Sequence, residues 1–191
     1  MIRGLKRVGI GCGVGVVIAY LLLLGTFKFV FPMYRNTTAG MDPTVGAGDF
    51  VITNRSEDVH RGDVIVHAYP LQPKTFFIKR VIGVPGDVVL IRDKQVFVNG
   101  RQLSEPYAVH SDSNIYPLDP RLPEPYRSRD QFGPFTVAAG QVFVLGDNRD
   151  RSADSRFWGT VPQSYVRGHV LFVMSRVSGW HRVAPAAWVL L

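Results

Sequence analysis

Residues 75–87 have the sequence TFFIKRVIGVPGD, in which aromatic and β-branched residues lead into a Val-Pro-Gly-Asp turn. Such residues favour strands, whereas proline and glycine end them. On an extended Thr75–Ile82 strand, side chains alternate between the two faces, so Phe77, Lys79 and Val81 share one face. A lysine between two large apolar neighbours is not expected to be merely solvated. The alternative is an edge-strand lysine that points to water.

The same sequence pattern continues along the chain after Pro32, where short apolar segments alternate with Gly, Pro, Asp and Asn. Strands are predicted at Phe50–Thr53, Asp63–Tyr69, Thr75–Ile82, Asp87–Ile91, Gln95–Val98, Gln141–Leu145 and His169–Arg176. The dipeptides Asp93-Lys94 and Asn99-Gly100 separate such segments and predict hairpin turns. We therefore predict an all-β, mainly antiparallel domain.

Two segments depart from this pattern. Residues 104–134 hold 6 of the 13 prolines, which predicts a Pro-rich irregular insertion or lid. Residues Ala184–Leu191 are apolar but too short to span a membrane, and either a final strand or a segment at the membrane surface fits them.

The net charge of +7 in 191 residues suggests a nucleic-acid partner until it is divided along the chain. Residues 1–35 hold five basic residues and no acidic one, whereas the remainder holds 17 basic and 15 acidic residues. No later cluster of basic and aromatic residues exists, so no nucleic-acid partner is expected. The single cysteine, Cys12, excludes an internal disulfide framework and a Cys-based zinc cluster.

The N-terminal charge accompanies an apolar segment. Val8–Phe27 is a run of 20 uncharged residues, which as a helix would span about 30 Å. Three basic residues precede it, so the positive-inside rule predicts a cytoplasmic tail at 1–7, a transmembrane anchor at 8–31 and an extracytoplasmic domain at 32–191. A cleaved signal peptide and a buried core helix are the alternatives.

The five histidines, at 60, 67, 110, 169 and 181, share no short spacing and form no HExxH motif. Neither a metal site nor a cofactor is expected. Asn36-Thr37-Thr38 fits the N-glycosylation pattern, which is short and common and carries little weight.

Three segments are more specific than composition: GMDPT at 40–44, KRVIGVPGD at 79–87 and GDNRDRSADSRFWG at 146–159. With the N-terminal anchor, they make the chain resemble the type I signal peptidases from the anchor to about Val173. These are membrane-anchored serine endopeptidases of β-rich fold that cleave after small-x-small sites with a Ser/Lys dyad. The resemblance implies that Lys79 is the general base. It must be unprotonated to act, and burial favours the unprotonated form because it lowers a lysine's pKa.

The nucleophile position of the family motif is occupied by Gly40, which has no hydroxyl. Activity is therefore expected to be impaired or absent. Three hypotheses remain open: an engineered loss of the serine, a naturally inactive member, or a substitute hydroxyl from Thr37, Thr38 or Thr44. The last is disfavoured because two residues of extended chain move a side chain by about 6–7 Å.

The resemblance assigns the other roles residue by residue. The Gly40 N–H and the Thr38 hydroxyl would form the oxyanion hole, and Ser152 would orient Lys79. Four residues would form a supporting ion-pair network: Asp147, Arg149, Asp154 and Arg156. Four others would line the substrate pockets: Met41, Val45, Phe77 and Ile78.

The leading hypothesis is signal peptidase I-type processing of secreted preproteins by a single-pass protein of the cell membrane, with signal peptides and the lipid bilayer as partners. The alternative is a non-catalytic binding or assembly factor at the outer face of the membrane, which would pair with extended peptides. A repressor-type Ser/Lys autoprotease would need a DNA-binding segment where this chain has its anchor. Nothing in the sequence indicates the oligomeric state.

Overall fold

The computed structural model describes residues 17, 18, 20–22, 25, 30–55, 58–123 and 127–183. From residue 31 onward, the described residues form twelve strands, one short α-helix and two single turns of 3-10 helix at 149–151 and 163–165. The strands are β1 (Met33–Arg35), β2 (Phe50–Asn54), β3 (Val64–Tyr69), β4 (Gln72–Gly83), β5 (Val88–Arg92), β6 (Gln95–Val98), β7 (Arg101–Gln102), β8 (Phe132–Thr136), β9 (Gln141–Leu145), β10 (Val161–Pro162), β11 (Val166–Ser175) and β12 (Gly179–Arg182), and the helix is α1 (Ser155–Trp158).

The larger sheet has the order β1-β2-β11-β3-β4-β9-β10, and β12 pairs with β11. Every named strand pair in it is antiparallel, so the predicted antiparallel β domain is confirmed. Each of the seven predicted strands overlaps an observed one. Strand β4 lies between β3 and β9, which places its second half, including Lys79, inside the sheet rather than at an edge.

The smaller sheet has the order β7-β6-β5-β8. Its two hairpins turn at the predicted dipeptides, and all four turn residues have left-handed backbone: Asp93 (φ 50°), Lys94 (φ 68°), Asn99 (φ 53°) and Gly100 (φ 78°). Two consecutive positive φ angles match the right-handed twist of the flanking strands. Both predicted hairpins are therefore confirmed.

The two faces of β4 pack into different apolar clusters. Ile78 packs in a cluster with Met41, whereas Val81, which has the opposite parity on the strand, packs in a cluster with Val144. Each fully buried aliphatic side chain contributes roughly 1.5–3 kcal/mol of hydrophobic stabilisation. The strand that carries Lys79 is thus fixed by packing on both of its faces.

Among the described residues, no helix is both long and apolar enough to cross a membrane. Most of the predicted anchor, 8–31, and all of 184–191 lie outside the described residues.

The described part of the 104–134 segment contains no strand before β8, whose first three residues, 132–134, close the segment. Its backbone runs beside the 146–149 turn, where Val109 N–H donates to the carbonyl of Asp147 (2.8 Å) and Arg149 N–H donates to the carbonyl of Val109 (3.0 Å). This irregular segment therefore covers one side of the third sequence motif.

Candidate active site

Lys79 lies opposite Ile65 of β3, and only 3% of its surface is exposed. Its Nζ donates a hydrogen bond to Ser152 Oγ (2.9 Å) and lies 5.7 Å from the centre of the Phe77 ring. Burial, the largest influence, lowers the pKa of Lys79 to about 8, against the opposing charge of Asp154. A large fraction of this amine is therefore neutral slightly above neutral pH, as a general base requires.

Gly40 lies directly against Lys79. A Cβ placed on Gly40 would be 3.0 Å from Lys79 Nζ and 3.5 Å from the Cα of Ser152. The backbone of Gly40 is outside the left-handed region, so no conformational reason requires glycine there. A side chain at position 40 would point at the amine of Lys79.

Gly146 allows the three segments to meet. A Cβ on Gly146 would lie 2.2 Å from both the Gly40 carbonyl oxygen and Ser152 Oγ, closer than any side chain can approach. The next turn of the chain adds a hydrogen bond from Asn148 N–H to the Gly40 carbonyl (3.2 Å). In the sequence, Gly146 is marked only by its position at the start of the third motif. The steric reason why this position requires glycine appears only in the structure.

Two buried ion pairs surround this meeting point. Arg80, the residue after Lys79, donates to both carboxylate oxygens of Asp147 (2.9 and 2.7 Å), and the Thr44 hydroxyl donates to the same group (2.5 Å). Arg156 donates to Asp154 (2.8 and 2.9 Å). Of the four residues expected to form a network, only Asp154 and Arg156 pair with each other.

Asp154 also connects the site to α1. It caps this helix by accepting from Arg156 N–H, and its other oxygen accepts from Gly146 N–H (3.1 Å). Burial alone would raise the pKa of Asp154, but the charge and hydrogen bonds of Arg156, with the charge of Lys79, hold it below the ordinary value. This carboxylate is therefore ionised at neutral pH and fixes the turn that carries Ser152.

Arg149 pairs with a residue of the irregular segment. Its guanidinium donates to both oxygens of Glu105 (2.9 and 2.6 Å), while Tyr107 lies over the guanidinium of Arg80 (3.9 Å from ring centre to Cζ). Glu105 and Arg149 are 44 residues apart in sequence, and a lone glutamate in a Pro-rich segment gave no signal of this contact.

The loop before Gly40 is organised by Asn36. This side chain is 5% exposed and its amide donates to the carbonyls of Thr38, Val45 and Gly46, each at 2.9 Å. Because this amide is buried and donates to backbone carbonyls, there is no room for a glycan on it. The Asn36 side chain instead has a structural role in the loop. Thr38 follows on the exposed part of this loop.

The four predicted pocket residues differ in accessibility. Met41 and Val45 have no exposed surface, and Ile78 is 6% exposed. Phe77 is half-buried and packs against Tyr69, with ring centres 5.0 Å apart. The Phe77 ring is thus accessible beside Lys79 Nζ, whereas Met41, Val45 and Ile78 share one buried apolar cluster.

An open groove of about 510 Å³ runs beside Ser152. It is lined by Tyr69, Leu71, Asp150, Arg151, Ser152, Ala153, Phe157 and Trp158. The rings of Tyr69 and Trp158 contact edge to face (5.8 Å) and form its apolar wall. Among the described residues, no group of three His, Cys, Asp or Glu side chains is arranged to hold a metal ion.

Comparison with known proteins agrees with this geometry. The family model described as "Signal peptidase, peptidase S26" matches residues 10–175. Signal peptidase I of Bacillus licheniformis is 32% identical over 163 residues, covering 83% of this chain and 84% of that protein. The "Probable signal peptidase I-2" of a Synechocystis species is 34% identical over 165 residues, covering 82% and 68%.

Among solved structures, a signal peptidase I from Enterococcus faecalis V583 is similar, with 36% sequence identity and a TM-score of 0.45, covering 59% of this chain and 96% of that one. The family model matches most of this chain, and relatives above 30% identity cover most of both chains. The chain therefore belongs to the signal peptidase family, peptidase S26, and is by family resemblance a serine endopeptidase.

Proposed function

We propose that this chain has the architecture of a Ser/Lys-dyad signal peptidase that processes secreted preproteins after small-x-small sites, and that Gly40 removes most or all of that activity. Lys79 is the general base, the Gly40 N–H and the Thr38 hydroxyl serve the oxyanion, and Ser152 orients the base. No metal or other cofactor takes part in this scheme.

One observation carries the proposal: a Cβ on Gly40 would lie 3.0 Å from Lys79 Nζ. A serine hydroxyl is one bond further out, and rotation about its Cα–Cβ bond brings it within hydrogen-bond distance of the amine. These distances support Lys79 as the base, Ser152 as its partner and position 40 as the place of a nucleophile whose hydroxyl is missing.

The proposed substrate is an extended peptide that lies over Phe77 toward the Lys79 amine. The half-buried Phe77 and the nearly buried Ile78 form shallow surfaces, with Met41 and Val45 as the packed floor. Because Met41 and Val45 have no exposed surface and Ile78 has little, we expect this surface to accept only small side chains before the cut.

The experiment compares the detergent-solubilised parent with Gly40→Ser on a preprotein that carries a small-x-small site. We expect no cleavage by the parent and clear cleavage by Gly40→Ser, detected as release of the mature protein. Gly40→Ala is the matched control because it adds the same Cβ without the hydroxyl, and it should stay inactive. Efficient cleavage by the parent would refute the role given to Gly40.

A second variant tests the base. Lys79→Met in the Gly40→Ser background keeps a long apolar side chain but removes the amine, and cleavage should fall by about a hundredfold or more. A Gly40→Ser protein that is folded yet inert would instead support the alternative function, a non-catalytic factor that binds signal peptides.

The described surface also supports a position at the membrane. An apolar groove of about 400 Å³ is lined by Phe31, Ile52, Leu171, Phe172 and Trp180. Trp180 is 61% exposed, and Met33 of β1, immediately after the predicted anchor, is 55% exposed. Exposed apolar side chains next to a membrane anchor fit the lipid surface. We therefore place the domain against the outer face of the cell membrane.

A further inference from the structure

The buried pair Ser152–Lys79 has the arrangement of a nucleophile and its base. The two side-chain atoms are 2.9 Å apart, within the range needed for proton transfer. In the proposed function Ser152 only orients Lys79, because a serine at position 40 would occupy the reacting position. With Gly40, the amine keeps one serine partner and the competing hydroxyl is absent.

Glycine at position 40 places no side chain against this pair. A Cβ there would lie 3.0 Å from Lys79 Nζ and 3.5 Å from the Cα of Ser152, so a side chain would contact both residues. From the other side, Ser152 borders the open groove with Tyr69 and Trp158. Although Ser152 is only 6% exposed, its surface faces a groove large enough for a small acyl group.

Two neighbouring hydroxyls already make hydrogen bonds to other groups. Thr44 donates to the Asp147 carboxylate at 2.5 Å, which removes one substitute nucleophile considered from the sequence. Ser155 is 1% exposed and its Oγ accepts a hydrogen bond from Val144 N–H (2.9 Å). Ser152 is the hydroxyl that both contacts the lysine and borders the groove.

We propose that Ser152, with Lys79 as its base, is a nucleophile of this chain toward small carboxylic esters. This inference rests on the role of Lys79 in the proposed function. The neutral amine takes the Ser152 hydroxyl proton as Oγ bonds to the acyl carbon. The bond to the leaving alcohol then breaks, and the ammonium returns the proton to that alcohol. Water hydrolyses the resulting acyl-serine by the same base.

The test treats the full chain in detergent with diisopropyl fluorophosphate and locates the adduct by peptide mapping. The reagent forms an Oγ–P bond as the P–F bond breaks, and the serine proton passes to Lys79. We expect the adduct on Ser152, with a labelling rate that rises about tenfold per pH unit up to about pH 8 and then levels. An adduct confined to Thr38 or Lys79, or a Ser152 rate that is independent of pH, would overturn the proposal.

Variants separate this site from general serine reactivity. Ser152→Ala should abolish the labelling, while Ser164→Ala, which removes an exposed serine of the 163–165 turn, should leave it unchanged. Gly40→Ala should slow Ser152 labelling several-fold by covering the pair. Lys79→Met should slow Ser152 labelling by about a hundredfold. If that variant does not fold, the pH dependence of labelling in the parent tests whether Lys79 is the base.

The outcome is independent of preprotein processing. If the parent is labelled at Ser152 but Gly40→Ser cleaves no preprotein, only the proposed function fails. If Gly40→Ser cleaves preproteins and the parent is never labelled at Ser152, only this inference fails.

Discussion

Arg80 and Asp147 are joined by two parallel hydrogen bonds, of 2.9 and 2.7 Å, between side chains that are at most 3% exposed. This pair links the strand that carries Lys79 to the turn of the third motif. Bidentate arginine–carboxylate geometry fixes direction as well as distance. The orientation of β4 relative to the 146–152 turn therefore depends on it.

Asp147→Asn should lower the free energy of unfolding by about 3–5 kcal/mol, because it leaves the guanidinium of Arg80 buried without its counter-charge. Urea denaturation of the solubilised protein measures the change. Asp119→Asn is the control, since Asp119 pairs with Arg121, whose side chain is 89% exposed, and should change stability by less than about 0.5 kcal/mol. Equal effects of the two variants would show that the buried pair is not important for the fold.

The processing rate of Gly40→Ser should rise with pH through the pKa of Lys79, which burial lowers to about 8. The lysine is active when neutral, so the rate should increase about tenfold per pH unit below pH 8 and level above it. Single-turnover cleavage across the pH range provides the profile. A rate that is already maximal at pH 6 would mean that another group accepts the proton.

The same pKa shift predicts a change of stability. The folded state holds Lys79 neutral above pH 8, whereas the unfolded chain keeps it protonated to about 10.5. The unfolded state therefore binds more protons between these values, and the free energy of unfolding should rise with pH in that window. Lys79→Met should lack this component, so the difference between the two denaturation curves isolates it.

Gly146→Ala in the Gly40→Ser background should abolish cleavage, because its methyl group would overlap the position-40 carbonyl and Ser152 Oγ at 2.2 Å. Forced overlap in a packed site costs roughly 1–3 kcal/mol of stability. Gly40→Ala alone is the comparison for stability, since the closest contact of its methyl group is with the flexible end of Lys79 at 3.0 Å. Cleavage that survives Gly146→Ala would show that the turn relaxes without losing the dyad geometry.

Glu105→Gln in the Gly40→Ser background should lower kcat more than it changes KM, since Arg149 loses the counter-charge that fixes the turn before Ser152. Removing one partner of a buried charge pair costs on the order of 3 kcal/mol, so thermal unfolding should be recorded in parallel. Asp119→Asn, in the same irregular segment, should leave both kinetic constants unchanged. A pure KM effect would instead indicate that Glu105 contacts the substrate.

Local chemistry made much of the fold predictable. The Asn99-Gly100 and Asp93-Lys94 turns follow from the backbone preferences of two adjacent residues, and β4 follows from its own composition. Strand β8 was missed because FGPFT contains Pro134 and Gly133, which argue against a strand in any window of sequence. The two-residue strands β7 and β10 are too short to leave a pattern.

The site was predictable where the family resemblance supplied the partner. The contact between Lys79 and Ser152, which are 73 residues apart, was expected from that resemblance and not from any local pattern. The structural roles of Glu105 and Asn36 could not be predicted. No local sequence pattern distinguishes a glutamate in a buried ion pair, or an asparagine whose amide bonds to carbonyl groups, from the same residue in contact with solvent. Position 40 differs from Glu105 and Asn36. The sequence alone showed that its hydroxyl is missing, and the structure was needed only to show which groups surround it.

Those surroundings have an evolutionary consequence. Gly40 adopts a backbone that any residue can adopt, and a Cβ there meets the flexible end of Lys79 first. A glycine codon that ends in a pyrimidine becomes a serine codon by a change of its first base alone. Where a natural gene encodes Gly40 with such a codon, the missing hydroxyl is one base change away, and the lineage retains a short mutational route to proteolysis.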